Sequence, residues 1–357
     1  MAKRVGIVGL GFGALVHLPA FRSEGWEIGA VCARNPDKAR AAADAAGVAG
    51  VHTDPAELFA RDDIDAIAIS TPPSTHHPLT MAALAAGKHV VCEKPFAMNA
   101  AQAQQMRDAA ARRRRTAMVA HEFRFAPQRR TIRQLVADGY VGRFNLCTIE
   151  LFLDRYVTAQ PRPFAWMSSV AEGGGVLGAL GSHYIDGLRD WFGEVAKVTC
   201  KLATLRPDVV DAATGRIVRA DSDDTFAFTL DFVNGGSATM LASFAATPAR
   251  GARICVMGDE GTLIAEQAGP NPTDDGVVIG SRNGAPLAPL ATPPQFAVAT
   301  DARDHRLMSF RALVREFTRG IEAGVSPAPS FEDGWHCQQV LDAARLSSDT
   351  GRTVAIG

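Results

Sequence analysis

The chain has 357 residues, of which 47% are hydrophobic and 21% charged, with a formal net charge of −1. This length allows two domains with substantial cores, and the composition is that of an ordinary soluble globular protein. The charge balance gives no support for nucleic-acid binding, which would need a basic face, and no apolar run is long enough to span a bilayer.

Six cysteines (Cys32, Cys92, Cys147, Cys200, Cys255, Cys337) are scattered without a Cys-x-x-Cys pair. That pattern predicts reduced, buried thiols, no metal site and a cytoplasmic location. The N-terminus, MAKRVGIVGLG, leads directly into a strand and carries no separate apolar leader.

In chain order, KRVGIVG, EIGAVC, AIAIS, HVVC and TAMVA read as buried strands, being short Val/Ile/Ala-rich runs bounded by turn residues. Helical patterns lie between them at Pro36–Ala46, Thr75–Ala86 and Ala100–Arg113. The basic run Arg112–Arg115 closes the last of these, where cations complement the helix dipole. Strand–helix alternation predicts a parallel, doubly wound sheet over residues 1–122.

From 123 to 357 the pattern changes to an α+β second domain. A helix at Pro127–Asp138 ends at Gly139 and is followed by long alternating strands, Phe144–Phe152, Val195–Leu205, Thr225–Phe232 and Ser237–Phe244. The last two flank Asn234-Gly235-Gly236, a hairpin signal, and predict a large, mostly antiparallel open sheet. The Pro- and Gly-rich stretch Gly269–Pro294 reads as mobile surface loops, and two helices, Phe310–Ala323 and Glu332–Thr350, close the chain.

Gly9-Leu10-Gly11-Phe12-Gly13-Ala14 follows the first strand and opens a helix, the context in which G-x-G-x-x-A signals dinucleotide binding. Gly9 permits the tight turn, Gly11 lets backbone approach the pyrophosphate, and Ala14 allows close helix–strand packing. The second strand ends Val31-Cys32-Ala33-Arg34-Asn35, with no acid to accept from the ribose hydroxyls. A guanidinium at Arg34 can pair with a 2′-phosphate, so NADP(H) is the preferred cofactor, with NAD(H) still admissible.

The stretches STPPSTHH (70–77), AGKHVVCEKP (86–95) and GGGVLGALGSHYIDGL (173–188), with GLGFGALVHLPAF near the start, resemble the Gfo/Idh/MocA oxidoreductase family. The resemblance extends to SFEDGWHCQQVLDAARLSSDTGRTV at the C-terminus, so it covers essentially the whole chain. It implies an N-terminal Rossmann domain, a C-terminal α/β domain with an open antiparallel sheet, and a homodimer or homotetramer formed through that sheet. It also implies hydride transfer between a nicotinamide and a hydroxyl or carbonyl of a sugar, cyclitol or related small molecule.

By resemblance Lys94 is the catalytic lysine of Glu-Lys-Pro and His183 the active-site histidine. An ammonium can stabilise developing alkoxide charge, and an imidazole can exchange the hydroxyl proton. Glu93 either ion-pairs or contacts the nicotinamide side, Pro95 holds the loop through a trans or cis bond, and Thr71 and Pro72 line the nicotinamide end. His76 follows the fourth strand near the expected cofactor edge. Arg124 lies at the domain junction as a substrate contact, while Tyr156, Arg162 and Trp166 precede the glycine cluster in a loop beside the cleft, with Tyr156 and Trp166 as candidate substrate contacts or else all three as packing or rim residues. Aromatic and basic side chains between Leu151 and Glu172 hint at a less hydrophilic or anionic substrate.

One position departs from the family. Where G-G-G-x-x-x-D-x-G-x-H would place an acid, this chain has Ala179, and Asp186 is either its partial replacement or a structural acid. The departure leaves two other readings open: a lyase, dehalogenase or glycosidase using tightly bound NAD(P) transiently, and a non-catalytic dinucleotide-binding regulator. Retention of Lys94 and His183 argues against the regulator.

Overall fold

The computed structural model describes residues 2–267, 276–297 and 301–357. The chain divides into two compact units, Met1–Glu122 with Thr300–Gln338, and Phe123–Ala299 with Gln339–Gly357.

The first unit is built on a six-stranded parallel sheet: β1 (Arg4–Val8), β2 (Glu27–Cys32), β3 (Val51–His52), β4 (Ala66–Ile69), β5 (His89–Cys92) and β6 (Ala117–Val119), in the order β3-β2-β1-β4-β5-β6. Helices α1 (Leu18–Ser23), α2 (Pro36–Ala46), α3 (Pro55–Phe59), α4 (His76–Ala85) and α5 (Ala100–Arg113) alternate with the strands. Every side chain of β4 is buried, as expected of a strand covered on both faces. Side-chain oxygens of Asn35, Asp54 and Asn99 cap α2, α3 and α5 by accepting the N–H of Lys38, Ala56 and Gln102. Val8 and Ile69 are in register at the carboxyl ends of β1 and β4, where the strand order reverses. Such switch points are where doubly wound sheets bind ligands.

Among the described residues the second unit carries α6 (Pro127–Ala137), α7 (Ser182–Phe192) and twelve strands: β7 (Phe144–Phe152), β8 (Arg162–Pro163), β9 (Val195–Ala203), β10 (Asp208–Val210), β11 (Ile217–Arg219), β12 (Thr225–Phe232), β13 (Ser237–Ser243), β14 (Gly251–Gly258), β15 (Gly261–Glu266), β16 (Val278–Arg282), β17 (Ala288–Leu290) and β18 (Val354–Ala355). Nine of them form one sheet, β17-β16-β15-β14-β7-β13-β12-β9-β18, and β11-β10-β8 form a small second one. All neighbours in the large sheet are antiparallel except β7 and β13. Gly235 and Gly236 take positive φ (89° and 77°) in the β12–β13 hairpin, as the Asn-Gly-Gly signal predicts. Alternation along the strands buries one face, including Phe226, Phe228, Leu230 and Met240, and exposes the other.

Two expectations need correction. The stretch 276–294 contains β16 and β17 rather than only surface loops, because Val278 and Gly280 turn inward and pair with β15; residues 269–275 lie outside the described residues. Residues 301–338 pack with the first unit, not the second. Among them α8 (Leu307–Ala323) buries Phe310 and Phe317, the latter stacked on Trp26 at 5.9 Å, and Arg311 and Arg315 bind Glu24. The start of α9 (Phe331–Thr350) adds Phe331 against Phe96 at 4.5 Å.

Candidate active site

The loop after β1 is shaped by what its glycines exclude. Gly9 has φ +93°, and a Cβ there would stand 2.3 Å from the Ser70 carbonyl oxygen, so no side chain fits. A Cβ on Gly11 would meet nothing within 4 Å, leaving its backbone open to a ligand. The close approach assigned to Ala14 belongs to Gly13, whose Cβ would lie 3.0 Å from Ile7 and 3.3 Å from Ser70; Ala14 is only half-buried. Residues 13–17 make a π-helical turn that runs into α1. The Ser70 Oγ beside Gly13 is buried with no hydrogen-bond partner among the described residues. An open glycine backbone, a helix start and an orphaned hydroxyl fit the pyrophosphate of a dinucleotide.

At the end of β2, Ala33 is half-buried and Arg34 exposed. Nearby acids come from the following connection. Burial pushes the Cys32 thiol up to about 11, helped by the charges of Asp54 and Glu57. Both acids are engaged, Asp54 as the cap of α3 and Glu57 with His52 at 3.1 Å.

The segment after β5 holds the densest group of ionisable side chains. Glu93 is 5% exposed, and its Oε1 accepts from His17 Nε2 at 2.8 Å, while Oε2 accepts the Lys94 N–H at 3.2 Å and lies 4.0 Å from Lys94 Nζ. Burial alone would raise the Glu93 carboxyl, but the His17 hydrogen bond and the Lys94 charge outweigh it and hold the carboxyl below its ordinary value. Its carboxylate thus serves His17 and Lys94. The Lys94–Pro95 bond is cis. Phe12 is half-buried, with Lys94 Nζ 5.8 Å and the Arg306 guanidinium 4.8 Å from its ring centroid. Glu122, three residues past β6, is buried, and burial pushes its carboxyl up to about 8 despite the Lys94 charge.

His76 is fully buried, with Nε2 2.8 Å from the Thr71 carbonyl oxygen and Nδ1 3.0 Å from that of Pro95. It lies between the Thr71 and Lys94 loops, where a neutral ring donates to one of the two carbonyls, and its burial lowers its pKa. Thr71 Oγ1 and the Pro72 carbonyl both accept from Thr75 Oγ1, at 2.7 and 2.8 Å.

In the second unit the glycines before His183 bring backbones together. A Cβ on Gly174 would lie 2.5 Å from the Trp166 carbonyl oxygen, and one on Gly175, with φ +108°, 2.1 Å from Asp223 Oδ1. Asp223 Oδ2 accepts the Leu177 N–H at 2.7 Å, and burial pushes this carboxyl up to about 6. Residues Leu177–Gly181 form a second π-helical turn, from which α7 starts at Ser182. Wide turns of this kind recur at functional sites. His183 is 2% exposed and stacks on Phe123 at 3.8 Å with an interplanar angle of 9°. The Arg129 guanidinium covers Phe123 at 4.7 Å and Tyr184 at 4.5 Å.

Ala179 sits half-buried inside the π turn. Asp186 does not stand in for the missing acid, because both its oxygens accept from Arg124, at 2.6 and 2.8 Å. Arg124 also donates to Asp190 at 3.1 Å, and Arg133 lies 2.9 Å from the same carboxylate. Arg124 and Asp186 are therefore a buried strut beneath α7 rather than open substrate contacts. Arg162 stacks on Tyr156 at 3.9 Å, and the two help line a polar cavity of about 300 Å³ with Thr158, Arg206 and Asp208. Trp166 meets the glycine turn through its backbone.

Sequence reading missed His17, Glu122, Asp223 and Arg129. His17 lies inside the quoted glycine-loop stretch and Glu122 just beyond a parallel strand's carboxyl end, so position could have flagged both. Nothing in the spacing marks Asp223 or Arg129. Among the described residues no group of three or more His, Cys, Asp or Glu side chains is placed to hold a metal ion, and no helix is long and apolar enough to cross a membrane.

The GFO_IDH_MocA profile, described as an oxidoreductase family with an NAD-binding Rossmann fold, matches residues 3–121, and the GFO/IDH/MocA C-terminal domain profile matches residues 129–264. An uncharacterized oxidoreductase of Synechocystis is 26% identical over 99% of this chain and 95% of its own length. D-apiose dehydrogenase of Paraburkholderia graminis is 27% identical over 98% of this chain and 88% of its own. Among solved structures, levoglucosan dehydrogenase in complex with NADH superposes with a TM-score of 0.89 at 23% identity, covering all of both chains.

Proposed function

The chain belongs to the Gfo/Idh/MocA oxidoreductase family, and from that premise we propose that it oxidises a hydroxyl, or reduces the corresponding carbonyl, of a sugar or cyclitol-like small molecule. The observation that carries this reading is the Glu93–Lys94 pair held by His17 beside Phe12 of the glycine loop. Dehydrogenase activity on sugars in the names of its relatives supports the substrate class. The bound nicotinamide would accept or return the hydride. Gly9, Gly11 and Gly13 would hold its pyrophosphate, Ser70, Thr71 and Pro72 its nicotinamide side, and Arg34 a 2′-phosphate.

Lys94 supplies positive charge toward developing alkoxide, and His183 takes the hydroxyl proton in oxidation or returns it in reduction. Stacking on Phe123 restricts the imidazole plane. The exposed Arg34 and the absence of an acid at residue 33 support NADP(H) preference, with NAD(H) also admitted. The decisive test compares NADP⁺ and NAD⁺ reduction across aldoses, cyclitols and anhydrosugars. NAD⁺ serving as well as NADP⁺ would overturn the cofactor preference, and no reduction with any substrate would overturn the dehydrogenase reading.

Ala179 supports a second reading, a reaction without net redox, since neither it nor Asp186 supplies an acid to His183. Nicotinamide retained through purification with no net turnover would favour that reading. We further propose self-association through the exposed sheet face. There the row Lys201–Ala227–Leu241–Glu150–Arg253 crosses five neighbouring strands with cations near both ends, and Leu146 and Leu241 are 52% and 43% exposed.

A further inference from the structure

His17 is 0% exposed and lies 76 positions from Glu93 in sequence, yet its Nε2 is 2.8 Å from Glu93 Oε1. The rest of the ring is enclosed by aromatic side chains, with Phe310 at 4.3 Å and Phe12 edge-on at 5.8 Å between ring centroids. Its Nδ1 is buried with no hydrogen-bond partner among the described residues, so Glu93 is the polar group that orients this imidazole. An ionised carboxylate only accepts, so Nε2 carries the proton. The second oxygen of the same carboxylate faces the Lys94 backbone N–H and, at 4.0 Å, its ammonium.

The three groups therefore form a chain: imidazole, carboxylate, ammonium. Without a donor on Oε1, a buried carboxylate tends to take up a proton. A protonated Glu93 would remove the negative charge that lies 4.0 Å from Lys94 Nζ. Other ionisable groups acting on Glu93 or Lys94 are Glu122, from beyond β6, and His76, at the start of α4. Burial pushes the Glu122 carboxyl up to about 8, and the Lys94 charge opposes that rise. His76 is held on two backbone carbonyls.

We propose that His17 is a positioning residue: by donating to Glu93 Oε1 it keeps that carboxylate ionised and aimed at Lys94. The proposal rests on Lys94 being the group that meets the reacting oxygen, but its test does not depend on turnover.

In full-length protein labelled with 13C at the glutamate side-chain carboxyl, each signal can be followed through a pH titration, and Glu93→Gln identifies the Glu93 signal. His17→Leu should raise the Glu93 titration midpoint, the effect of removing a donor from a buried carboxylate. His17→Gln, whose amide can still donate, should restore most of the wild-type midpoint. If His17→Leu does not accumulate folded, His17→Asn, polar but too short to reach Oε1, takes its place and should behave the same way. An unchanged Glu93 midpoint in folded His17→Leu or His17→Asn would overturn the proposal, as would a His17→Gln midpoint as high as that of His17→Leu. Failure of the catalytic reading would show separately, as a Lys94→Gln enzyme with undiminished turnover on a substrate found in the cofactor screen.

Discussion

Replacing Arg124 with leucine should destabilise the second unit far more than the loss of three hydrogen bonds suggests. Arg124 makes two bonds to Asp186, at 2.6 and 2.8 Å, and one to Asp190 at 3.1 Å. Asp190 keeps Arg133 at 2.9 Å, but Asp186 is 0% exposed and would be left as an uncompensated buried carboxylate. Breaking a buried pair from one side costs roughly 3–5 kcal/mol. At about 2–4 °C per kcal/mol for a unit of this size, the melting transition should fall by about 10 °C. The double variant Arg124→Leu/Asp186→Leu removes both charges and should recover more than half of that loss, since apolar replacement of a whole buried pair is often near neutral. Calorimetry reads the transition, and hydrogen exchange at the amides of α7 reports whether the loss is local to the helix that carries His183. A single variant within 1 kcal/mol of wild type, or a double variant as unstable as the single, would refute the reasoning.

Glu122→Gln tests the other strongly perturbed carboxyl. The folded protein holds the Glu122 proton to about pH 8, whereas the free carboxyl releases it near 4.5. Unfolding therefore releases a proton between these values, and wild-type stability should fall as pH rises through that window. The glutamine variant should lose this slope and be more stable than wild type above pH 8 by a few kcal/mol; parallel melting temperature–pH profiles would contradict the assignment. Leu241→Asp places a carboxylate beside Glu150 in the exposed row of the large sheet. Sedimentation velocity should show a smaller species than wild type with unchanged secondary structure, and an unchanged oligomer would move the interface elsewhere.

The parts legible in the sequence are those encoded locally. The glycine loop could be read because strand, turn and helix signals agree over a dozen residues, and the Asn-Gly-Gly hairpin because positive φ has few residue solutions. The π turns before α1 and α7 left no such trace, since nothing in GALVH at Gly13–His17 or LGALG at Leu177–Gly181 distinguishes a wide turn from an ordinary helical one. The His17–Glu93 bond and the Asp223–Leu177 bond depend on tertiary placement across 76 and 46 positions. The same holds for α8, whose amphipathic pattern shows a buried face without naming the unit that buries it. Asp186 was read as a possible partner of His183 from helical spacing, and a longer-range guanidinium claimed it instead.

The central claim is that hydride passes between a substrate carbon and nicotinamide with Lys94 and His183 handling charge and proton. The most direct measurement is transfer of deuterium from a C-deuterated substrate, identified in the cofactor screen, to the nicotinamide C4 by wild type, Lys94→Met and His183→Ala. The account predicts stoichiometric transfer by wild type, with rates lower by roughly 10²–10⁴-fold in each variant while the variants still bind the reduced cofactor. Deuterium appearing in solvent instead of the cofactor, or variants that turn over at the wild-type rate, would contradict it.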